Sequence, residues 1–255
     1  IDKNGRDRTA VCCLSSLNLE KYDEWKDDSV MINDVMRFLD NVLTDFIERA
    51  PEQFDDAKYS AEKERSVGLG VMGFHSYLQQ HSIPLESVMS KAWNKKIFKH
   101  IQQHVDQASK DLADERGPCP DAADYGYNER FSNKTAIAPT ASISIICGGA
   151  SPGVEPVAAN SYTHKTLSGS FNVRNRYLVE LLEKHGKNTD DVWSGITTNQ
   201  GSVSHLDFLT DLEKDVFKTA FELDQKWIIE LSGDRTPYIS QAQSINLFVP
   251  ADIHK

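Results

Sequence analysis

Apolar residues recur at helical spacing in four stretches of the chain. The spacing predicts an amphipathic helix over 32–49. A longer helix is predicted from 85 to 115, with a buried stripe of Val88, Ala92, Ile97, Ile101, Val105, Ala108 and Leu112. Shorter helices are predicted at 174–185 and 211–232. In the helix predicted at 211–232, the residues expected to face inward are Val216, Phe217, Ala220, Phe221, Trp227 and Ile228.

Two other stretches have the character of β-strands. Residues 8–18 are small and apolar, which predicts a buried strand. Alternation in 245–249 predicts a final strand close to the end of the chain. The stretch 119–134 is rich in Pro, Asp, Gly and Asn and is predicted to be a loop. Strands separated by helices indicate an α/β architecture, and no internal repeat or long linker forces a domain boundary.

Composition narrows the classes of function. The 255 residues carry a formal net charge of −10, which argues against a general nucleic-acid surface because such a surface requires a basic face. No apolar run approaches the ~20 residues that span a bilayer. The chain begins at Ile1 and stops at Lys255, directly after the predicted strand. We therefore expect it to be part of a longer protein.

The four cysteines, Cys12, Cys13, Cys119 and Cys147, are too few for a disulfide framework in a chain of this length. They form no CxxC or CxxH pair, so a structural zinc site is not expected. This cysteine usage favours a cytoplasmic protein.

The adjacent pair Cys12–Cys13 is the first candidate for chemistry. Neighbouring Cα atoms lie ~3.8 Å apart, whereas an unstrained disulfide needs ~4.4–6.8 Å, so the two are poor partners for each other. On a strand they point to opposite faces. One of them can face a ligand and the other a core. The competing interpretation is that each is a small buried hydrophobe.

The stretch AIAPTASISIICGG, residues 136–149, is the second candidate. It predicts a strand, a turn at the proline and a second apolar run. The hydroxyls of Thr140, Ser142 and Ser144 and the N–H groups of the turn are suited to an anion such as a diphosphate. The competing interpretation is an ordinary β-turn with capping serines.

Two further patterns are weaker. GLGVMG at 68–73 fits G-x-G-x-x-G, but a dinucleotide site requires a hydrophobic strand before it, and charged residues 62–66 precede it. Close packing of a glycine-bearing helix is the favoured interpretation. His100 and His104 could present two imidazoles on one helix face, but polar neighbours favour a solvated face over a zinc site.

Taken together, these segments resemble a known family. TAVCCLSSLN at 9–18 resembles the cysteine strand of the large, catalytic subunit of ribonucleotide reductase, and APTASIS at 138–144 resembles its substrate-phosphate loop. Four more segments are similar to that family in the right order: ERSVGLGVMGF (64–74), SPGVEP (151–156), YTHKTLSGSF (162–171) and SINLFVPADIHK (244–255). The resemblance covers essentially the whole chain.

The resemblance implies a fold and a set of site residues. The fold would be the second half of the ten-stranded α/β barrel with its surrounding helices, so that 1–255 form a single partial domain. One of the two reducing cysteines falls on Cys12, and Cys13 then lies on the opposite strand face. Leu14 would pack beside the ribose. The residues that would hold the substrate phosphates are Pro139, Thr140, Ala141, Ser142, Ile143 and Ser144.

The resemblance also implies chemistry and partners. The family reduces ribonucleotides to deoxyribonucleotides: a thiyl radical removes the 3′ hydrogen, the 2′-hydroxyl leaves as water, and two cysteines become a disulfide. The implied partners are the N-terminal half of the large subunit, a radical-generating di-iron small subunit, a ribonucleoside diphosphate, and thioredoxin or glutaredoxin. No cofactor or metal is expected to bind this chain directly, and neither a nucleic acid nor a membrane is an expected partner.

The chain departs from the family pattern in one respect that limits its activity. The N-x-C-x-E motif with the radical-bearing cysteine is not in the sequence, since Asn4 is followed by Gly5 and Arg6. We therefore expect no turnover by this chain alone. The alternatives are the adenosylcobalamin-dependent class of the same family and a non-catalytic fragment that merely retains the fold.

Overall fold

The computed structural model describes residues 2–3, 5–166 and 169–249, without the side chains of 164–166. The strands are β1 (Cys13–Asn18), β2 (Val67–Met72), β3 (Ser161–Thr166) and β4 (Gly169–Arg174). The helices are α1 (Tyr22–Trp25), α2 (Met31–Arg49), α3 (Asp55–Glu64), α4 (Phe74–Gln80), α5 (Val88–Arg116), α6 (Pro120–Asp124), α7 (Ile143–Ile146), α8 (Arg176–Lys184), α9 (Asp190–Thr198), α10 (Asp211–Val216) and α11 (Gln225–Arg235). Within these described ranges, no helix is both long and apolar enough to cross a membrane.

The central sheet consists of four parallel backbone segments. β1 and β2 pair in parallel along their whole length. A single parallel bridge joins Leu69 to Thr135, which places a third segment beside β2. Another parallel bridge joins Ile137 to Gln243, which places a fourth segment beside the third. Among the described residues, the other edge of β1 has no partner strand. The sheet is therefore open along β1.

Alternation along the strands gives the sheet two different faces. Leu17, Leu69 and Val71 point to one face and belong to the main hydrophobic core, because side chains two residues apart share a face. α2 and α5 supply much of the rest of this core, including Met36, Leu43 and Ile101. The opposite face carries Cys12, Leu14 and two glycines, and it is described with the site.

A buried carboxylate in the middle of α2 joins this helix to the ends of α3 and α5. Asp40 is fully buried and forms ion pairs with Arg65, Arg116 and Arg130 at 2.7–2.9 Å. Burial by itself would raise the pKa of Asp40, but the hydrogen bonds and charges of the three arginines outweigh it and hold that pKa below its usual value. The network therefore fixes the ends of α3 and α5 against the middle of α2.

A smaller hydrophobic cluster lies around α8, α9 and α10 and includes Leu178, Trp193 and Ile196. β3 and β4 form an antiparallel hairpin that leads into α8. The hairpin lies in the segment YTHKTLSGSF, of which 167–168 are outside the described residues.

Several sequence predictions hold at the level of the element. The helices expected at 32–49, 85–115 and 174–185 correspond to α2, α5 and α8. The predicted strand 8–18 is shorter, because pairing begins only at Cys13. The predicted loop 119–134 contains the short helix α6. The second apolar run of the stretch 136–149 forms α7 rather than extended chain.

The predicted helix 211–232 is wrong, since the chain forms α10 and α11 with a break between them. α10 begins with a capping box between Thr210 and Glu213. In the break, the backbone N–H of Ala220 donates to the carbonyl of Val157 at 2.8 Å, so long-range contacts replace helical hydrogen bonds. Phe221, expected to face inward, is exposed.

Two other expectations also fail. Val88 and Ala92, placed in the buried stripe of the long helix, are exposed, because the start of α5 turns Ser90 and Asn94 inward instead. The predicted final strand 245–249 does not form; the β-bridge of this segment is made by Gln243, which precedes the predicted strand. Residues 250–255 of that predicted family segment lie outside the described residues.

The glycine run at 68–73 belongs to a strand, so the interpretation as a helix is wrong. The charged residues before it form α3, which ends at Arg65 in the left-handed conformation with φ 43°. β2 then starts at Val67 and is buried throughout. The dinucleotide interpretation also fails, because the glycines lie within the strand instead of following it.

Candidate active site

Most of the sequence-predicted site residues line a pocket between β1 and the loop that follows Ile137, but Cys12, Pro139 and Ser144 are not among its lining residues. Its volume is about 340 Å³. The residues that line it are Leu14, Ser15, Ser16, Ala138, Thr140, Ala141, Ser142 and Ile143. The structure thus brings Leu14 together with the middle of the predicted phosphate loop. Pro139 and Ser144 belong to the same loop but lie outside this lining.

The pocket lies at the carboxyl end of a parallel segment. The loop begins directly after Ile137, the last bridged residue of the third segment of the sheet. Ligands of open α/β sheets bind beyond the carboxyl ends of the strands, because the connecting loops converge there. The position of the pocket is therefore typical of a substrate site.

Thr140 anchors the loop from inside. It is in the left-handed conformation, with φ 54°, and only 8% of it is exposed. Its hydroxyl accepts a hydrogen bond from the backbone N–H of Gly153 at 2.7 Å. Gly153 lies two residues after Ser151. The backbone N–H of Ser151 donates to the hydroxyl of Ser76 in α4, and the hydroxyl of Ser151 accepts from the backbone N–H of Ser76. The loop is thereby attached to α4 through buried contacts.

The hydroxyls of the loop are not equivalent, although the sequence presents them alike. Ser144 is buried, and its hydroxyl is 3.4 Å from the carbonyl oxygen of Ala141, to which it donates. Ser142 is exposed at the pocket. In this structure Ser142 therefore has the most accessible hydroxyl of the three, whereas the hydroxyls of Thr140 and Ser144 contact the backbone of Gly153 and Ala141.

Backbone N–H groups supply the donors that the buried hydroxyls do not. The amides of Ala141, Ser142 and Ile143 have no hydrogen-bond acceptor among the described residues. All three residues line the pocket. Consecutive unpaired N–H groups of this kind form a concave site for an anion.

A second cavity of about 500 Å³ lies on the other side of the same loop. Arg176 and Tyr177 at the start of α8 form part of its wall. Both hold the buried carboxylate of Glu20: Tyr177 donates its hydroxyl at 2.9 Å, and Arg176 forms an ion pair with it. Burial, followed by the charge of Glu20, raises the pKa of Tyr177 above its usual value. This contact joins α8 to the chain just after β1.

The face of the sheet that carries Cys12 and Leu14, here called the pocket face, has glycines at positions 68 and 70 of β2. A Cβ on Gly68 would lie 2.5 Å from Leu14 Cδ2, 2.9 Å from Ala136 Cβ and 3.2 Å from Cys12 Sγ. A Cβ on Gly70 would lie 2.2 Å from the carbonyl oxygen of Ala136. The three neighbouring segments therefore approach each other closely only because these positions lack side chains.

The two adjacent cysteines lie on opposite sides of the sheet, as the strand geometry predicts. Cys13 packs against the main core, and its burial, followed by the nearby Cys12, raises the pKa of its thiol. Cys12 instead places its sulfur beside Gly68, on the face that carries Leu14. The amide of Gln241 donates to that sulfur at 3.4 Å. Both thiols are free.

The remaining candidates do not form a site. His100 and His104 are partly buried, not fully solvated: His100 lies 3.2 Å from the Tyr22 hydroxyl, and His104 contacts the His100 carbonyl. Burial lowers the pKa of His100. In the described part of the chain, no three His, Cys, Asp or Glu side chains lie together as metal ligands would.

Sequence reasoning missed Gln241, Glu20 and the anchor at Gly153. Gln241 lies 229 positions from Cys12 along the chain, so no local pattern reveals their contact. Gly153 lies in SPGVEP, a segment that the resemblance identifies without giving it a role. Glu20 carries no local signal, since its partners Arg176 and Tyr177 are distant in sequence.

Comparison with known proteins agrees with this geometry. The family model described as "Ribonucleotide reductase, barrel domain" matches residues 2–129 and 121–255. The ribonucleoside-diphosphate reductase large subunit of Invertebrate iridescent virus 6 is 52% identical over 252 residues, which are 97% of this chain and 26% of that protein. The large subunit of Caenorhabditis elegans is 29% identical over 279 residues, covering 97% of this chain and 35% of that protein.

A solved structure gives the same result. The alpha subunit of the class Id ribonucleotide reductase of Actinobacillus ureae superposes with a TM-score of 0.88 and 41% identity, over 95% of this chain and 45% of that chain. Four parallel segments with helices on one face thus define part of an α/β barrel. The chain belongs to the ribonucleotide reductase barrel-domain family. It spans less than half the length of these relatives.

Proposed function

We propose that this chain supplies part of the catalytic barrel of a ribonucleoside-diphosphate reductase, as a single partial domain. One observation carries the proposal: Leu14 and three unpaired backbone N–H groups line one pocket, and Cys12 lies on the same strand face as Leu14. A ribonucleotide has a sugar and a diphosphate that match these two ends. The relatives named above are reductases of ribonucleoside diphosphates.

The proposed roles follow from position. The N–H groups of Ala141, Ser142 and Ile143, with the Ser142 hydroxyl, bind the diphosphate; charge-assisted hydrogen bonds of this kind contribute about 1.5–3 kcal/mol each. Pro139, Thr140 and Ser144 keep the loop in shape. Leu14 packs against the ribose. Cys12 lies two residues before Leu14, about 7 Å away along an extended strand, which is the scale of a ribose and its substituents.

The reaction consumes two thiols. A thiyl radical held outside this chain removes the 3′ hydrogen, and the 2′-hydroxyl leaves as water after it gains a proton. Two thiols supply two electrons and two protons and form one disulfide, and the 3′ hydrogen then returns to the sugar. In this scheme Cys12 is one of the two reducing thiols. The radical-bearing thiol, the second reducing thiol and the general base belong to the N-terminal half of the subunit.

The open edge of β1 supports a complementary half. A parallel sheet is normally covered on both faces, whereas here Leu14 is 54% exposed on the pocket face. An N-terminal half barrel would pair with β1 and close the pocket. The other proposed partners are a radical-generating di-iron small subunit and thioredoxin or glutaredoxin, which reduces the disulfide after each turnover. We propose a cytoplasmic location for the assembly.

Reconstitution tests the proposal. The chain is combined with the N-terminal half of a related large subunit and its small subunit, and deoxyribonucleoside diphosphate formation is measured. We expect no product from the chain alone and product from the complete mixture. Turnover by the isolated chain, or unchanged turnover of a complete mixture that carries Cys12→Ser, would contradict the proposal. The second result would favour a retained non-catalytic fragment.

The adenosylcobalamin-dependent class is the alternative source of the radical. The resemblance of CCLSSLNLEKYDEW to the iron-dependent class and the similarity to a class Id alpha subunit favour a small subunit. A scavenger of tyrosyl radicals discriminates between them. We expect it to stop turnover of the small-subunit mixture, whereas turnover that depends only on added adenosylcobalamin would establish the alternative.

A further inference from the structure

We infer that Gln241 is a positioning residue for the reducing thiol Cys12. Its side-chain amide nitrogen lies 3.4 Å from Cys12 Sγ and 2.9 Å from the carbonyl oxygen of Val67, and it donates to both. The amide group thus uses its two N–H bonds on the residue that precedes β1 and on the first residue of β2. This inference rests on the proposed function, because it assigns a role to Gln241 through Cys12.

The backbone that carries Gln241 is fixed by the neighbouring segment. The N–H of Gln241 donates to the carbonyl of Thr135 at 3.1 Å. Ser240 accepts hydrogen bonds from the backbone N–H groups of Lys134 and Thr135 at 2.9 and 3.0 Å, and its own N–H donates to the Thr135 hydroxyl at 2.9 Å. The side chain of Gln241 therefore starts from a defined point and reaches across β2 to Cys12.

A fixed position of the Cys12 sulfur favours the formation of a disulfide with a partner thiol. A cysteine side chain has one heavy-atom torsion, with three staggered wells. Gln241 contacts the sulfur, and the missing side chain of Gly68 leaves it room on the pocket face. Disulfide formation has strict distance and torsion requirements. A sulfur held in one well meets its partner thiol more often than one that samples three.

Gln243 offers a matched control on the same segment. Its side-chain amide donates to the Ser232 carbonyl at 3.1 Å and to the Thr236 hydroxyl at 2.9 Å, and it accepts from Arg235. These contacts support the end of α11 rather than a cysteine. Replacement of Gln243 therefore tests for loss of packing in this segment alone.

The test compares Gln241→Met with Gln243→Met in the reconstituted reductase, with Gln241→Glu as a second variant of the same length that cannot donate. For both Gln241 variants we expect kcat to fall about five- to tenfold, the effect of one hydrogen bond, with KM within about twofold. Gln243→Met should retain the parent kcat. Melting temperatures are measured for all variants. If one of the two Gln241 variants fails to fold, the kcat of the other one provides the test.

The possible outcomes separate this inference from the proposed function. If the Gln241 variants retain the parent kcat while Cys12→Ser is inactive, the positioning role is wrong and the function stands. If kcat falls equally in the Gln243 variant, in proportion to melting temperature, Gln241 is only structural. If Cys12→Ser retains turnover, the proposed function fails and the role of Gln241 fails with it.

Discussion

On the face of the sheet that meets α2 and α5, Leu17, Leu69 and Val71 are buried in the main core. On the opposite face, the same two strands present Gly68 and Gly70 beside Cys12 and Leu14. The two faces are only one residue apart along each strand. The core face is filled by large apolar side chains, whereas the pocket face has almost none.

The difference shows how one strand serves two purposes. Large side chains on the core face stabilise the fold, because each removes apolar surface from water. Small residues on the pocket face leave room for a ligand and let the strands approach closely. Side chains on the core face should therefore affect stability, the few side chains on the pocket face should affect activity, and the glycines there should allow the close approach of the strands. The following predictions test that division.

The adjacent cysteines give the largest contrast. In the reconstituted reductase, we expect Cys12→Ser to abolish multiple turnover, because a serine cannot form the disulfide. Cys13→Ser should retain at least about a third of the turnover and lower the free energy of unfolding by about 1 kcal/mol, since it places a hydroxyl against the core. Product formation and thermal melts of both variants measure the two effects. Equal losses of turnover would break the division.

Asp40, a buried charged residue, tests the predicted effect of the core on stability with a charge instead of an apolar group. Asp40→Asn should lower the free energy of unfolding by about 3–5 kcal/mol at pH 7, because three arginines lose their buried partner. Folding lowers the pKa of Asp40, so its carboxylate contributes to stability at pH values above the pKa of ~4 that it has in the unfolded chain. This contribution to stability is lost as the pH falls toward the lower pKa of the folded state. The deficit of the variant should therefore shrink below about pH 4.

The control for this prediction is Asp45→Asn on the same helix. Asp45 forms an exposed pair with Arg49, which contributes about 0.3–0.5 kcal/mol at most. Denaturant unfolding at pH 7 and at acid pH compares the two variants. A pH-independent deficit in Asp40→Asn would show that its carboxylate is not the stabilising group.

The two leucines of β1 give the next contrast. Leu17 is 4% exposed and Leu14 is 54% exposed. Leu17→Ala should lower the free energy of unfolding by about 2–5 kcal/mol, the usual effect of a core cavity. Leu14→Ala should change it by about 0.5 kcal/mol or less and raise the KM for the ribonucleotide instead. Similar unfolding free energies for the two variants would remove the basis for assigning Leu14 to the ligand.

The segments of the candidate site can be located in the sequence more readily than some of the elements around them. The predicted phosphate loop is a continuous segment at 138–144, so both its composition and its family resemblance can be read from the sequence. β2 is hard to predict locally because glycine is depleted in strands and the charged residues directly before it form a helix, α3. The pairing that reveals it comes from residues more than 50 positions away in β1.

Contacts that depend on tertiary structure were out of reach. Nothing near Gln241 in the sequence indicates Cys12, and nothing near Thr140 indicates that Gly153 would occupy its hydroxyl. The break between α10 and α11 is of the same kind, since Val157 supplies an acceptor to Ala220. Local propensity predicts continuous helix there, but distant hydrogen bonds determine the result.

The smallest expected effect concerns Gly70, which tests whether the pocket face is closely packed. A Cβ there would meet the Ala136 carbonyl oxygen at 2.2 Å, and backbone cannot move aside cheaply. Gly70→Ala should therefore lower the free energy of unfolding by about 1–3 kcal/mol. Gly233→Ala in α11 is the matched control: apart from the adjacent residues and the backbone of α11 itself, no atom lies within 4 Å of its Cβ position. The same change should therefore stabilise the helix by about 0.5–1 kcal/mol. Denaturant unfolding gives both values, and a neutral Gly70→Ala would show that β2 and the segment at Ala136 are farther apart than the structure has them.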